Sequence, residues 1–482
     1  MNTLPLWLIL TPLALALIAA LGDRAGPRFR RALAVCGACA VAALTLTVVW
    51  AVRRHGALHT MLGGWAAPWG IGLRVDDFNA IFILILGVGL AAGMVFLAGA
   101  RAFVKGEAPL IFLLAAAGNG ILAAADLFNL FVFVELASVC SAALIALKRQ
   151  RDNTAAGFQY LVYGALSGMI FLVAVLLIYG ATGHLSMAHI AAHIHRMPPR
   201  LYGAALAGII VAFGVKIGLI PLHFWQARAY AAAGSSMAAL MSGVMMKIYL
   251  CALLRVLWHP LAIRQHSAAL TGTLLALGAI NVLGGHLMAL AQRDLKRLLA
   301  FSSVAHVGYI LMGIGAGSEL GLVAGLYHVV NHVLMKTALF WSGRAFILHA
   351  GSADERRFRG VASAAPLAFA IFFVAALTIV GAPPTGGFAS KWLIALAVYA
   401  RHGLWPVVVI ALGTLISLTY YGRVFRYALI PSADNAPTAN RSVNIGERWP
   451  PILAACGCLA TGLGIRWLLP WLERAAAALA AG

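Results

Sequence analysis

The chain has 482 residues, of which 62% are hydrophobic and only 10% charged. Soluble domains average about 25% charged and about 45–50% apolar residues, so this composition excludes a water-soluble enzyme and indicates an all-α polytopic membrane protein. Basic residues outnumber acidic ones, 35 to 14, but they lie between apolar runs, where cytoplasmic loops collect them, so no nucleic-acid partner is expected.

A helical span takes about 20 apolar residues. Apolar runs at 4–21, 32–51, 78–100, 108–125, 127–147, 155–180, 202–226, 236–257, 268–290, 298–316, 321–349, 364–400, 405–428 and 450–471 predict about 14 transmembrane helices. Met1–Ala20 has no basic segment ahead of it and no small-residue cleavage site, so it reads as the first span. Cys36 and Cys39 in the second span have the spacing of a redox or metal pair. No second pair accompanies them, so they read as small helix-packing residues. His184, His189, His193 and His195, after the sixth span, read as solvated loop residues. No metal and no cofactor is expected. The fourteenth span is followed by a short tail containing Glu473.

Two spans carry internal breaks, Gly218-Leu-Ile-Pro221 in the seventh and Gly381-Ala-Pro-Pro-Thr-Gly-Gly387 in the twelfth. Proline removes a backbone donor and glycine loosens a helix. Broken spans survive where the freed backbone lines a cavity, and paired breaks point to a transport path. The breaks are five spans apart, as expected if spans 4–8 and 9–13 form two repeats. Five crossings are an odd number, so the second copy is inverted. The expected divisions are 1–107, 108–260, 261–430 and 431–482. Lys and Arg concentrate in odd-numbered loops (Arg24, Arg28, Arg30, Arg31; Lys148, Arg149, Arg151; Arg356, Arg357, Arg359, among others). Odd loops are therefore expected on the cytoplasmic side and both termini on the other, in a bacterial inner membrane.

The charges inside apolar runs are the informative ones. Lys216, Lys247, Lys336 and Lys391 lie there, and so does Glu135. Each costs about 2.5–3.5 kcal/mol at mid-bilayer on insertion scales, a penalty that demands pairing or a purpose. Loops are rich in arginine, yet every mid-span base reads as lysine or histidine. Arginine stays protonated, whereas a desolvated lysine can lose and regain its proton, which suits a proton relay. Snorkelling of long side chains to the interface is the competing reading, strongest for Lys336. His328, His332 and Lys336 are spaced four apart, on one helical stripe. His306, His286 and His223 also lie in or beside apolar runs.

These residues resemble a known family: the antiporter-like membrane subunits of respiratory NADH:quinone oxidoreductase (complex I), Mrp-type cation/proton antiporters and group 4 hydrogenases. The resemblance runs from about Gly63 to Lys391. It is carried by Gly63–Ile71, Asp126–Glu135, Lys216–Trp225, Asp294–Ser303, Tyr327–His332 with Lys336, and Pro383–Lys391. It implies a 14-helix core with an inverted five-helix repeat, a fifth-span Glu (Glu135) paired with a seventh-span Lys (Lys216), an eighth-span Lys (Lys247) and a twelfth-span Lys (Lys391). In the family these form a hydrophilic axis with histidines and waters between them. The amino-terminal half is most similar to the Mrp D-type subunit, while Ser235–Lys247 is similar to group 4 hydrogenase subunits. A related subunit that works with a cytoplasmic zinc protein in inorganic-carbon accumulation stays open.

The expected function is proton conduction within a larger complex, through Glu135, Lys216, Lys247, Lys336, Lys391, His306, His328 and His332. Expected partners are other membrane subunits, peripheral redox subunits in an oxidoreductase, lipids and protons, with sodium exchange open. The alternative is a scaffold or docking subunit without its own proton path. A self-contained redox enzyme is excluded by the lack of an iron–sulfur, flavin or nucleotide motif.

Overall fold

The computed structural model describes residues 3–65, 70–147, 150–261, 267–431 and 445–481. Part of the Gly63–Ile71 stretch, with Lys148, Arg149, Arg264 and Arg441, lies outside the described residues. The amino-terminal helices are α1 (Leu4–Gly22), α2 (Pro27–His55), α3 (Asp77–Gly99), α4 (Glu107–Ala123), α5 (Leu127–Ala146) and α6 (Arg151–Thr182). A short α7 (Met187–His193) leads to α8 (Pro199–Ile217), α9 (Gln226–Ala232), α10 (Ser235–Leu240) and α11 (Met246–Trp258). The second half holds α12 (Ser267–Leu290), α13 (Leu295–Gly315), α14 (Glu319–Ala350), α15 (Val361–Ala364), α16 (Pro366–Val380), α17 (Gly386–His402) and α18 (Trp405–Leu429). The chain ends with α19 (Ile445–Leu463) and α20 (Ile465–Ala481). Among the described residues, ten helices are long and apolar enough to cross a membrane, or eleven if the bent pair α19–α20 is one span.

Polar side chains start the helices at the loop boundaries. Asp76 caps α3 in a reciprocal box with Asn79, and Asp126 and Asp294 accept the Asn129 and Arg297 amides at 2.7 and 2.9 Å. Each satisfies a donor that the first helical turn would otherwise leave unpaired. Both breaks lie where expected. Gly218 (φ +78°) ends α8 and Gly381 (φ +93°) ends α16, in the left-handed region that glycine adopts without a Cβ penalty. A cis proline follows three residues later in both, Pro221 and Pro384.

The structure departs from the sequence reading at four places. Residues Leu58–Met61 and Gly72–Val75 form a small antiparallel hairpin, β1–β2, in a chain read as all-α. The last run is not one span over 450–471: the axis turns by 87° at Gly464, and α20 lies across the bundle against α3 and α14. Its alternation of Leu472, Ala475, Ala476 and Leu479, all buried, with exposed Glu473 and Arg474 gives it one apolar face. Cys36 and Cys39 are exposed free thiols, and their neighbours Gly37 and Ala38 do the packing. Arginines do enter the helices: Arg255 in α11 is 4% exposed and donates to the Leu122 carbonyl at 2.5 Å.

The loop after α14 is anchored by Glu355, which is fully buried. It meets Arg293 at 2.9 Å and Arg423 of α18 at 2.5 Å. Arg423 also donates to the Leu290 and Gln292 carbonyls at 2.8 and 2.6 Å, tying α18 to the end of α12. Burial pushes the Glu355 carboxyl up, against the opposing pull of the two guanidiniums.

Candidate functional site

Lys216 sits in the last turn of α8, two residues before the first break. Its Nζ lies 3.5 Å from Glu135 Oε1 of α5, and the lysine side chain is 3% exposed against 27% for the acid. The ammonium also donates to Ser138 Oγ at 2.5 Å and to the Gly164 carbonyl at 3.0 Å. Space for the ion pair comes from α6. A Cβ on Gly168 would collide with Glu135 Oε1, and one on Gly164 would stand 3.4 Å from Lys216 Nζ. These two glycines, one turn apart, were not singled out by the sequence reading.

Lys247 lies just beyond a π-helical turn, Met241–Met245, that joins α10 to α11. Such turns free a carbonyl from its usual partner and recur at functional sites. Here the Lys247 amine takes the Ser242 carbonyl, and the Ser242 hydroxyl bonds Ser303 of α13 at 2.8 Å. The Tyr249 ring centroid is 6.0 Å from the Lys216 amine.

In the second half, His306 and His328 stack with ring planes 5° apart. His306 Nδ1 and His328 Nε2 are 2.9 Å apart, and His328 Nδ1 is 2.9 Å from Ser390 Oγ. His332 stacks on His306 at 5.1 Å, but neither of its ring nitrogens has a hydrogen-bond partner among the described residues. The stripe read from spacing therefore brings its side chains together without bonding them in sequence order. Lys336 does not snorkel. It is fully buried, and its amine bonds Ser302 Oγ and the Leu299 carbonyl. Lys391, five residues into α17, reaches back across the second break to the Ile379 and Val380 carbonyls at 3.0 Å each, groups that the helix end leaves unpaired. It also lies over the Tyr309 ring, 4.5 Å from the centroid.

Glu135, Lys216, Lys247, His306, His328, His332, Lys336 and Lys391 thus share one interior. Beside them the sequence reading missed a set of hydroxyls (Ser138, Ser242, Ser302, Ser390, Tyr309, Tyr420), which are common in helices and carry no distinctive spacing. His184, His189 and His193 do cluster, with His184 ring centroids 5.3 and 4.8 Å from the other two. Among the described residues, however, no group of three or more His, Cys, Asp or Glu has a metal-holding arrangement.

Residues 124–417 match the family model described as NADH:quinone oxidoreductase/Mrp antiporter, transmembrane. The chain belongs to that antiporter-like family. The family member is 34% identical to NADH-quinone oxidoreductase subunit N of Desulforudis audaxviator, over 97% of this chain and 99% of that one. It is 32% identical to the D-type Na(+)/H(+) antiporter subunit of Alkalihalophilus pseudofirmus, over 78% and 77%. Among solved structures, a chain of the archaeal membrane-bound sulfane sulfur reductase superposes with a TM-score of 0.91 at 27% identity, covering 100% of this chain and 98% of that one. A chain of the Mrp complex from Dietzia sp. also superposes at 0.91, at 24% identity and with 99% and 97% coverage, and shows the same fold. This family member is an integral membrane subunit with broken helices, as its composition and Gly–Pro interruptions predicted.

Proposed function

We propose that this chain conducts protons across the membrane as one subunit of a larger complex, along a mid-membrane axis from Glu135 and Lys216 through Lys247, Lys336 and the histidines to Lys391. The observation that carries this reading is that, among the described residues, four buried lysines share the interior with a single carboxylate near one of them, the others bonded to neutral oxygens. A scaffold would gain nothing from so many uncompensated amines at bilayer depth. Glu135 attracts the Lys216 charge while the two are close. Drawing them apart removes that attraction and drives the proton toward Lys247. His332 and His306 Nε2, without protein partners among the described residues, suit ordered water, which binds at such buried polar atoms. The proposed partners are other membrane subunits, as in the complexes whose chains share the fold.

Fourteen spans follow on the same reading: the ten long helices, the shorter α4, α14 with its polar stripe, the broken pair α16–α17, and α19. Paired features support an inverted repeat of spans 4–8 and 9–13. Asp126 and Asp294 each cap a helix, α5 and α13, and each forms an isolated antiparallel bridge beyond the next long helix, to Ser186 and Asp354. Those helices, α6 and α14, have 32 residues each. Both termini are placed on the non-cytoplasmic side by the distribution of Lys and Arg.

The test uses the assembled complex in liposomes containing a pH-sensitive dye, with proton entry driven by an imposed potassium diffusion potential. Glu135→Gln and Lys216→Ala are each expected to abolish proton entry without loss of assembly, and normal entry in either refutes the axis. Gly168→Ala should push the Glu135 carboxylate away from Lys216. Entry is expected to fall by up to about a hundredfold, the scale of a 1 Å misplacement. Gly180→Ala on the same helix, with nothing within 4 Å of its Cβ, should conduct normally.

A further inference from the structure

His286 of α12 is fully buried, and both of its ring nitrogens meet tyrosines. Nδ1 is 3.1 Å from the Tyr420 hydroxyl of α18, and Nε2 is 3.1 Å from the Tyr309 hydroxyl of α13. A neutral imidazole has one N–H and one bare nitrogen, so one tyrosine accepts while the other donates. The direction reverses when the ring changes tautomer.

The chain of contacts continues at both ends. Beyond Tyr309, the Thr414 hydroxyl lies beside the phenol and 3.4 Å from Lys391 Nζ. Beyond Tyr420, Ser302 lies beside the phenol, stands 3.3 Å from the adjacent Tyr421 hydroxyl and accepts from Lys336. Hydroxyls and one imidazole therefore run from Lys336 to Lys391. The histidine stripe makes no such connection, since His332 has no bonded neighbour among the described residues. Gly413 of α18 marks the crossing point: a Cβ there would stand 2.5 Å from the Tyr309 hydroxyl and 2.9 Å from His286 Cδ2. The helix is thinned where the Tyr309–His286 bond passes.

We propose that His286 is a proton-relay residue, linking Lys336 to Lys391 through Ser302, Tyr420, Tyr309 and Thr414. The proposal rests on the proton-conducting reading above and specifies the route of its second half. Protonated Lys336 gives a proton to Ser302 Oγ, whose own proton passes to the Tyr420 oxygen. Tyr420 protonates His286 at Nδ1, and the proton on Nε2 leaves for Tyr309. Tyr309 passes its proton to Thr414, which protonates the neutral Lys391 amine. One proton has moved, Lys336 is neutral, every hydroxyl is restored in number, and the His286 tautomer has flipped. Rotation of the hydroxyls and return of the tautomer reset the chain, so transfer is one proton at a time.

The same liposome assay on the assembled complex tests this. Tyr309→Phe keeps the ring beneath Lys391 and removes only the hydroxyl. His286→Gln keeps one donor and one acceptor but has no tautomer to exchange. Each is expected to slow proton entry by about a hundredfold, the usual weight of a positioned proton-transfer group. The double variant should be no slower than either single, because the links are in series. Gly413→Ala should also slow entry, without altering any titratable group. Wild-type entry in His286→Gln would make the residue structural and overturn the proposal, as would wild-type entry in Tyr309→Phe or multiplying effects in the double variant. Lys216→Ala separates the two readings. If it is inactive while His286→Gln and Tyr309→Phe conduct normally, only the His286 route fails. If it conducts normally, the axis itself fails.

Discussion

Lys247→Met is expected to stop proton entry while leaving the complex as stable as the wild type or more so. Lys247 is 1% exposed, and among the described residues its amine meets the Ser242 carbonyl and the Met246 sulfur but no acid. A buried cation at bilayer depth opposes folding by about 2.5–3.5 kcal/mol on insertion scales, and replacing buried charge by an apolar side chain of similar volume is often neutral or stabilising. A residue kept for structure would behave in the opposite way. Lys247→Arg sharpens the point: it preserves the positive charge but holds its proton permanently, so it too should be inactive, by about a hundredfold or more. Proton entry in liposomes and the thermal midpoint of the complex are the two readouts. Conduction by Lys247→Arg would mean that charge alone, and not exchange of a proton, is what this position supplies.

Glu355→Ala is expected to do the reverse, lowering stability while sparing conduction per assembled complex. Desolvating buried charges offsets much of their attraction, so the ion pair by itself adds little. The loss comes from stranding Arg423, whose side chain is 19% exposed. Breaking a buried pair by removing one partner typically costs about 3–5 kcal/mol. The lower end is expected here, because Arg423 keeps the Leu290 and Gln292 carbonyls. Glu355→Gln, which still accepts a hydrogen bond from Arg293, should lose much less. A thermal midpoint for Glu355→Ala equal to that of the wild type would remove the staple from any account of how α12 and α18 are held together.

Much of the architecture was legible because the bilayer imposes strict rules. Long apolar runs and the Gly–Pro breaks announced themselves, since unpaired backbone in hydrocarbon is too costly to be accidental. The misses have equally physical origins. The hairpin at Leu58–Val75 is only four residues per strand, too short for a period to register. The bend at Gly464 falls inside an apolar stretch, where hydropathy carries no direction. Arg255 was overlooked because its long apolar stem lies within a run, and its head meets a carbonyl more than a hundred residues away.

The sequence by itself determined that the chain lives in a membrane, that it carries amines and imidazoles where hydrocarbon should be, and that two of its helices are interrupted. Those follow from composition and local spacing, which need no knowledge of neighbours. Only the tertiary structure decided which groups are joined. Lys336 turned to Ser302 instead of to the histidines one and two turns before it, and His286 found Tyr309 and Tyr420 on two other helices. A proton moves between atoms in contact, and contact across helices is set by how their faces pack, which no single helix encodes.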